Sequence, residues 1–372
     1  MFTFPPRESD ENGEYLREQL ITYLGNKRKL LDFIGMGIEI AKNSLGKKKV
    51  STFDVFSGSG IVARYLKRFS DVVYANDLEA YSRVINECYL TNKSSVDWEA
   101  LTSSRDEVLD KIKNNPIHSF ISENYAPDSM ENIQRGERCF YTPQNALFLD
   151  SARYYLNSLP QDHQTLLLAP LLSEASIKVN TSGVFKSFYK SDGVGKFGGR
   201  GSNALSRILS PIQLNLPLLS EFECDSHVLQ LDAREAAKEV GNVDIAYLDP
   251  PYNQHPYGSN YFMLNLLVDG VLPDTGFSKT TGIPKNWNRS KFNKRAYIHE
   301  EFFKLVAELN AKFCIISFNN EGFISKSDFL QGLAKLGRIT CLETYYKRFP
   351  DTKHKKASKN YVTEYLFLLE KK

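Results

Sequence analysis

An apolar run that stops at a glycine turn, restarts as a helix and is followed by a second apolar run ending in an acid leaves this chain few folds. Lys49 to Phe56 reads as a strand, Ser57-Gly58-Ser59-Gly60 as a turn and Ile61 to Phe69 as a helix. Val72 to Ala75 is a second strand, closed by Asn76-Asp77. Lys27 to Lys42 come before them with helical spacing, placing Leu30, Leu31, Ile34, Ile38 and Ala41 on one face. This order opens a doubly wound, Rossmann-like α/β fold. Short strands return at 226–231, 243–248 and 313–318, and 339–346 with 362–370 alternate as a terminal antiparallel hairpin. Residues 92–175 read as mainly helical. Residues 176–207, rich in Gly, Ser and basic side chains, read as an irregular binding loop and not as a core element. The expected layout is an α/β domain from 1–91 and 226–372, with 92–225 inserted into it.

Length and composition fit that layout. A chain of 372 residues with 42% hydrophobic content can bury a large core. It contains no apolar run long enough to span a membrane, and its polar first twenty residues lack the apolar centre of an export signal. The five cysteines are scattered without a CxxC pair, so no zinc site or disulfide framework is expected, and no metal. A reducing cytoplasm is the expected compartment. The net charge of +3 conceals an uneven distribution: 178–207, 279–295 and 347–359 each carry six Lys/Arg against at most one acid, so the rest of the chain is acidic. Aromatics and Gly/Ser/Asn lie among those charges, a composition suited to tracking phosphates.

Two stretches carry candidate chemistry. The run Val243 to Leu248 stops at Asp249-Pro250-Pro251-Tyr252. Proline fixes φ and pushes the preceding residue out of the helical region, so two in a row hold a rigid extended corner. Such a corner is a plain strand end, or it points a carboxylate, backbone carbonyls and an aromatic face at one planar, amino-bearing molecule such as a flipped adenine. The second stretch decides between them. Phe56-Ser57-Gly58-Ser59-Gly60 lies where a strand turns into a helix, and glycines there let the backbone approach a ligand. Asp77 closes the next strand, 23 residues after Asp54, near the spacing at which an acid meets a ribose hydroxyl pair. The third glycine of a dinucleotide fingerprint is missing, with Ala63 in its place, and no Gly-Lys-Ser/Thr follows. A nucleoside without pyrophosphate fits best, which points to S-adenosyl-L-methionine.

Tyr23–Lys27, Phe56–Gly60, Asp77 and Asp249–Tyr252, in that order, resemble the amino-methylating DNA methyltransferases of the alpha group, which include Dam. The runs Asp249 to Phe262 and Ser317 to Gly322 are more similar to the FokI- and NlaIII-type modification methylases of restriction–modification systems. The resemblance covers roughly 20–92 and 226–370; between them it is general only. It implies a cofactor site of Tyr23, Asn26, Lys27, Asp54, Phe56, Ser57, Gly58, Ser59, Gly60, Asp77 and Asp232. Lys27 would meet the cofactor carboxylate, Asp54 its amino group, Asp77 its ribose and Asp232 its adenine; a simple turn aspartate is the other reading of Asp232.

It also implies a mechanism. The exocyclic amine of adenine is a poor nucleophile, and the Asp249 side chain with the Pro250 carbonyl would accept its two N–H groups while Tyr252 stacks on the flipped base. Pro251 completes the corner. No cysteine follows a proline, which argues against cytosine C5 chemistry, and Asp249 in place of serine favours adenine N6 over cytosine N4. The inserted region would recognise double-stranded DNA. Candidate contacts are Lys178, Lys186, Lys190, Lys196, Arg200 and Arg207, with Lys285, Arg289, Lys291, Lys294 and Arg295 around Trp287. The expected protein is a cytoplasmic, nucleoid-associated bacterial monomer acting beside a separate restriction endonuclease. A non-catalytic nucleic-acid-binding protein on the same fold is the competing expectation.

Overall fold

The computed structural model describes residues 11–251, 254, 256–347 and 361–372. Tyr252, His255 and most of the basic 347–359 segment lie outside them. The chain forms two compact units, one of residues 27–78, 224–256 and 289–372, the other of 1–26, 79–223 and 257–288.

The first unit is built on a seven-stranded sheet. Its strands are β1 (Val50–Asp54), β2 (Ser70–Asn76), β3 (Asp225–Leu229), β4 (Val243–Leu248), β5 (Ala311–Asn319), β6 (Gly337–Lys347) and β7 (Tyr361–Lys371), in the order β3-β2-β1-β4-β5-β7-β6. The five on the β3 side are parallel, and β7 runs antiparallel between β5 and β6. This is the doubly wound sheet with a terminal hairpin that the strand pattern predicts. The order reverses between β1 and β4, where Asp54 pairs with Tyr247. Such a switch point opens a crevice at the carboxyl ends of the strands, the usual ligand position in open α/β sheets.

Helices cover the sheet: α1 (Leu31–Leu45), α2 (Ile61–Leu66), α3 (Ala233–Val240), α4 (Ile298–Glu308) and α5 (Lys326–Leu333). In α1 the predicted face is the buried one, with Leu31, Ile34, Ile38 and Ala41 all inside. One core is formed by Phe53, Ala246, Leu248, Ile316, Phe318 and Phe367 of the strands and Val55 just after β1, with Ala236, Phe302, Leu305 and Phe329 of the helices. β4 is buried along almost its whole length, as a central parallel strand must be.

The second unit is mainly helical. Its longer helices are Ala80–Leu90, Trp98–Asn114, Pro143–Leu156 and Gln161–Lys178, joined by Phe262–Asp269 from far along the chain. It is therefore wider than the expected 92–225 segment. Tyr81, Ile85, Leu101, Leu149, Leu167 and Leu171 share one core with Phe262 and Leu266, and that burial draws 257–288 in. Between 179 and 204 the segment is irregular as predicted, apart from a short ladder of Lys190–Ser191 with Val194–Gly195 and a helical turn at Arg200–Ser202, while its two ends fall in the helices Gln161–Lys178 and Leu205–Leu209. It is not peripheral, however. Phe185, Phe188 and Phe197 are buried in the same core, and Asn180 holds the segment down by donating to the carbonyls of Cys139 (2.8 Å) and Lys196 (3.1 Å). None of the described helices is long and apolar enough to cross a membrane.

Candidate active site

The glycine turn after β1 is held from below. Ser57 donates its N–H (2.8 Å) and its hydroxyl (3.1 Å) to the carbonyl of Asn76, and the Asn76 side chain donates to the carbonyls of Val55 and Leu231, both at 3.2 Å. Gly58 and Gly60 adopt φ of +53° and +74°. A side chain at either would be strained, which is why the turn needs glycine there. Gly60 N–H returns to the Ser57 carbonyl at 2.8 Å, and the Gly60 carbonyl accepts the first bond of α2 from Arg64. The Gly58 N–H donates to Asp77 Oδ2 at 2.8 Å, so the acid closing β2 is tied to the turn.

Asp54 ends β1 with 1% of its surface exposed, and neither carboxylate oxygen has a full hydrogen-bond partner among the described residues. Burial pushes its carboxyl well above the usual carboxylate range, and the charges of Asp249 and Asp77 push the same way. The N–H groups of Ala63 and Phe56 oppose this without satisfying it. A buried acid left in this state fits a ligand that brings a cation or donors.

Asp249 follows β4 directly. Its Oδ2 is 2.9 Å from the ammonium of Lys27, whose side chain is 4% exposed, while its Oδ1 is buried and has no partner among the described residues. Burial raises the Asp249 carboxyl and Lys27 opposes the rise. Lys27 thus stands against Asp249, where the sequence placed it against a cofactor. The buried Tyr247 hydroxyl faces the same charges, and burial together with Asp249 raises it well above its ordinary range. Glu364 on β7 is a further buried acid at this end of the sheet, 7% exposed with Oε2 unpartnered among the described residues.

The sequence thus brings Lys27, Asp54, the 56–60 turn, Asp77, Asp249 and the buried Pro250 to one end of one sheet. Pro251 lies beside them, partly exposed, and Tyr252 is outside the described residues. Asp232 is exposed, and its side chain caps α3 by accepting from the Arg234 N–H at 3.0 Å, which is the turn-aspartate reading. Tyr23 and Asn26 belong to the helical unit, where Tyr23 stacks on Tyr257 and Tyr261 with ring centroids 4.9 Å apart in each case. Asn76 and Glu364 were not singled out from sequence. Their signal was weak: a polar side chain closing a strand, and one of two acids in the apolar alternation of 361–371.

The basic candidates divide. Arg207 is half-buried and donates to the carbonyls of Ile177, Val179 (3.0 Å) and Thr181 (3.5 Å), so it fixes the chain after the Gln161–Lys178 helix. Lys178 donates to Ser210 Oγ at 2.8 Å with Glu174 4.0 Å away. Lys190, Lys196 and Lys285 are exposed, Lys186 is partly so, and Arg200 lies in a short helical turn. Arg289, Lys291, Lys294 and Arg295 are exposed around Phe292, which is buried and meets Phe56 of the glycine turn edge-on at 5.1 Å. Lys291 also pairs with Glu301 at 3.4 Å. Among the described residues, no three side chains of His, Cys, Asp or Glu converge as a metal-binding set.

A mostly parallel sheet carries a glycine turn, a buried acid and an Asp-Pro-Pro corner at its switch point, a frame suited to a group-transfer enzyme of the doubly wound α/β class. Residues 23–271 match the family model of the D12 class N6 adenine-specific DNA methyltransferases, and the chain belongs to that family. It is 30% identical over 364 residues to the type II methyltransferase M.NlaIII of Neisseria lactamica, covering 94% of this chain and 99% of that protein. It is 30% identical over 361 residues to M.CviAII of Paramecium bursaria Chlorella virus 1, covering 94% and 98%. M.FokI of Planomicrobium okeanokoites is 24% identical over 363 residues, which span 52% of its length. The chain is accordingly an adenine-specific DNA methyltransferase, as its ordered motifs implied. The readings as a cytosine N4 enzyme and as a non-catalytic binding protein fall away.

Proposed function

We propose that the protein is the modification enzyme of a restriction–modification system, methylating N6 of a flipped adenine within a specific site in duplex DNA. The observation that carries the reading is the state of Asp249. One oxygen is held by Lys27 and the other is buried without a partner among the described residues. A carboxylate fixed by an ammonium, with one waiting acceptor, matches the need of an adenine amine, whose N–H must be drawn away from the ring plane for its lone pair to react. The Pro250 carbonyl supplies the second acceptor and Tyr252 the stacking face. The target has to leave the helix to reach a corner of this kind.

S-adenosyl-L-methionine, when bound, supplies the methyl group from a sulfonium centre. The residues at the switch point fit it. The backbone of Phe56, Ser57, Gly58, Ser59 and Gly60 admits close approach, Asp54 offers its unpartnered carboxylate to an ammonium group, and Asp77 is set for a ribose. Lys27, beside Asp249, favours the ionised form of that carboxylate and aims it, and the ion pair leaves Lys27 less exclusively a partner of the cofactor carboxylate than the resemblance implied. Asp232 is assigned to the α3 cap. Tyr23 and Asn26 lead the chain into Lys27.

Lys186, Lys190, Lys196, Arg200 and Lys285 from the helical unit, and Arg289, Lys294 and Arg295 from the other, are the proposed DNA contacts. Lys178 and Lys291 share their charge with acids, and Arg207 acts as a brace. A separate endonuclease reading the same site, a monomeric enzyme and a cytoplasmic location complete the proposal. Its support is that the methylases M.NlaIII and M.FokI are matched along nearly all of this chain.

The test is methyl transfer from labelled cofactor to plasmid DNA, followed by digestion to nucleosides. N6-methyladenine is the expected product, and mapping the methylated adenines gives the recognition site. Asp249→Asn is expected to lower the rate at least about a hundredfold while cofactor affinity persists. Full activity in that variant would overturn the role of Asp249.

A further inference from the structure

An acid on the hairpin has no part in this account. Glu364 lies on β7 opposite Asn319 of β5, and β5 lies beside β4 with Ile316 opposite Leu248, the residue before Asp249. Asp249, Asn319 and Glu364 therefore stand at the same end of three neighbouring strands. Glu364 is buried, and its Oε2 accepts nothing among the described residues. Lys27 is the cation that acts on it, and Asp249 and Glu321 are the acids. Lys27 itself is held 2.9 Å from Asp249 Oδ2.

We propose that Glu364 is a positioning residue, a second seat for the Lys27 ammonium that it shares with Asp249. The proposal rests on the reading of Asp249 as the acceptor for the adenine amine. An incoming amine brings N–H donors to a carboxylate that Lys27 already occupies. With Glu364 Oε2 as an alternative acceptor, Lys27 turns part of its donor set away and stays buried, charged and hydrogen-bonded. No covalent bond changes and no proton is transferred in this step. The groups that face the exchange are Lys27 before α1, Asp54 at the end of β1, Asp77 after β2, Tyr247 and Asp249 along and after β4, Glu321 after β5, and Glu364 itself. One lysine serves several acids, so removing one carboxylate tightens its hold on the next.

The experiment compares wild type, Glu364→Gln, Glu364→Asp and Asp249→Asn in single-turnover methyl transfer to plasmid DNA across acid and neutral pH. Affinity for S-adenosyl-L-methionine is measured by calorimetry. Glu364→Gln is expected to bind the cofactor within about twofold of wild type while its plateau rate falls about tenfold. Its acid limb should move to lower pH, because losing a like charge favours ionised Asp249. Glu364→Asp keeps the charge and should recover much of the plateau. An unchanged rate and limb in Glu364→Gln would overturn the proposal, and so would equal losses in the Gln and Asp variants with no movement of the limb. Full activity in Asp249→Asn would instead remove the reading beneath it. An inactive Asp249→Asn beside a wild-type Glu364→Gln removes this proposal alone.

Discussion

Asp54 is the residue at which folding and ligand binding pull in opposite directions. Its folded carboxyl is raised above its ordinary value of 3.8, so the native state favours the protonated form. A group raised in the native state leaves stability intact below that ordinary value and removes it as pH rises toward the folded value. Asp54→Asn is therefore expected to melt with wild type in acid and above it at neutral pH, with the gap opening between. A thermal melt that finds the variant less stable at neutral pH would refute this. Cofactor should raise the wild-type melting temperature more than that of the variant, since only the aspartate gains a partner. The place of Asp54 just before the glycine turn was legible in sequence, because apolar runs and glycine turns are local signals, although the strand was expected to run on to Phe56 and ends at Asp54. Its lack of a partner among the described residues was not, because that depends on what Asp77 and Asp249 bring from elsewhere. Glu364 was hidden for a related reason: an acid in an alternating hairpin strand reads as an outward-facing residue until the neighbouring strands cover it.

At the scale of elements, the basic loop and the glycine turn are mechanically one piece. Phe292 is 3% exposed and packs edge-on against Phe56, so the loop bearing Arg289, Lys291, Lys294 and Arg295 is anchored on the turn after β1. Phe292→Ala is expected to cost about 3–5 kcal/mol in denaturant unfolding, by loss of burial and the cavity left behind. It should also weaken cofactor affinity, although Phe292 is no part of the proposed cofactor site. A stable variant with unchanged affinity would show that the two elements are independent. The strands, α1 and the terminal hairpin were all legible, since each writes its period into contiguous residues. The helical unit was legible only in part. Nothing local in 257–288 shows that Phe262 and Leu266 pack with Tyr81 and Leu167, and the aromatics of 176–207 were masked by the glycines and lysines around them.

For the whole molecule, the interleaving of the two units governs when either can form. β1 and β2 are made early, but β1 pairs on its other side with β4, Thr52 against Ile245, and β2 with β3, Val72 against Asp225. Pairings this distant carry a loop-closure cost and form slowly. The helical unit also waits, for 257–288. During synthesis the chain therefore carries a lone pair of parallel strands with both edges unpaired, the kind of surface that recruits other chains. Ribosome-held chains ending at residue 223 are expected to lose the 50–76 segment rapidly to protease, and released full-length chains to keep it; equal protection in both would contradict this order. The insertion that gives the enzyme its helical unit thus makes its central sheet a late product of translation, and the nascent enzyme a natural client of chaperones.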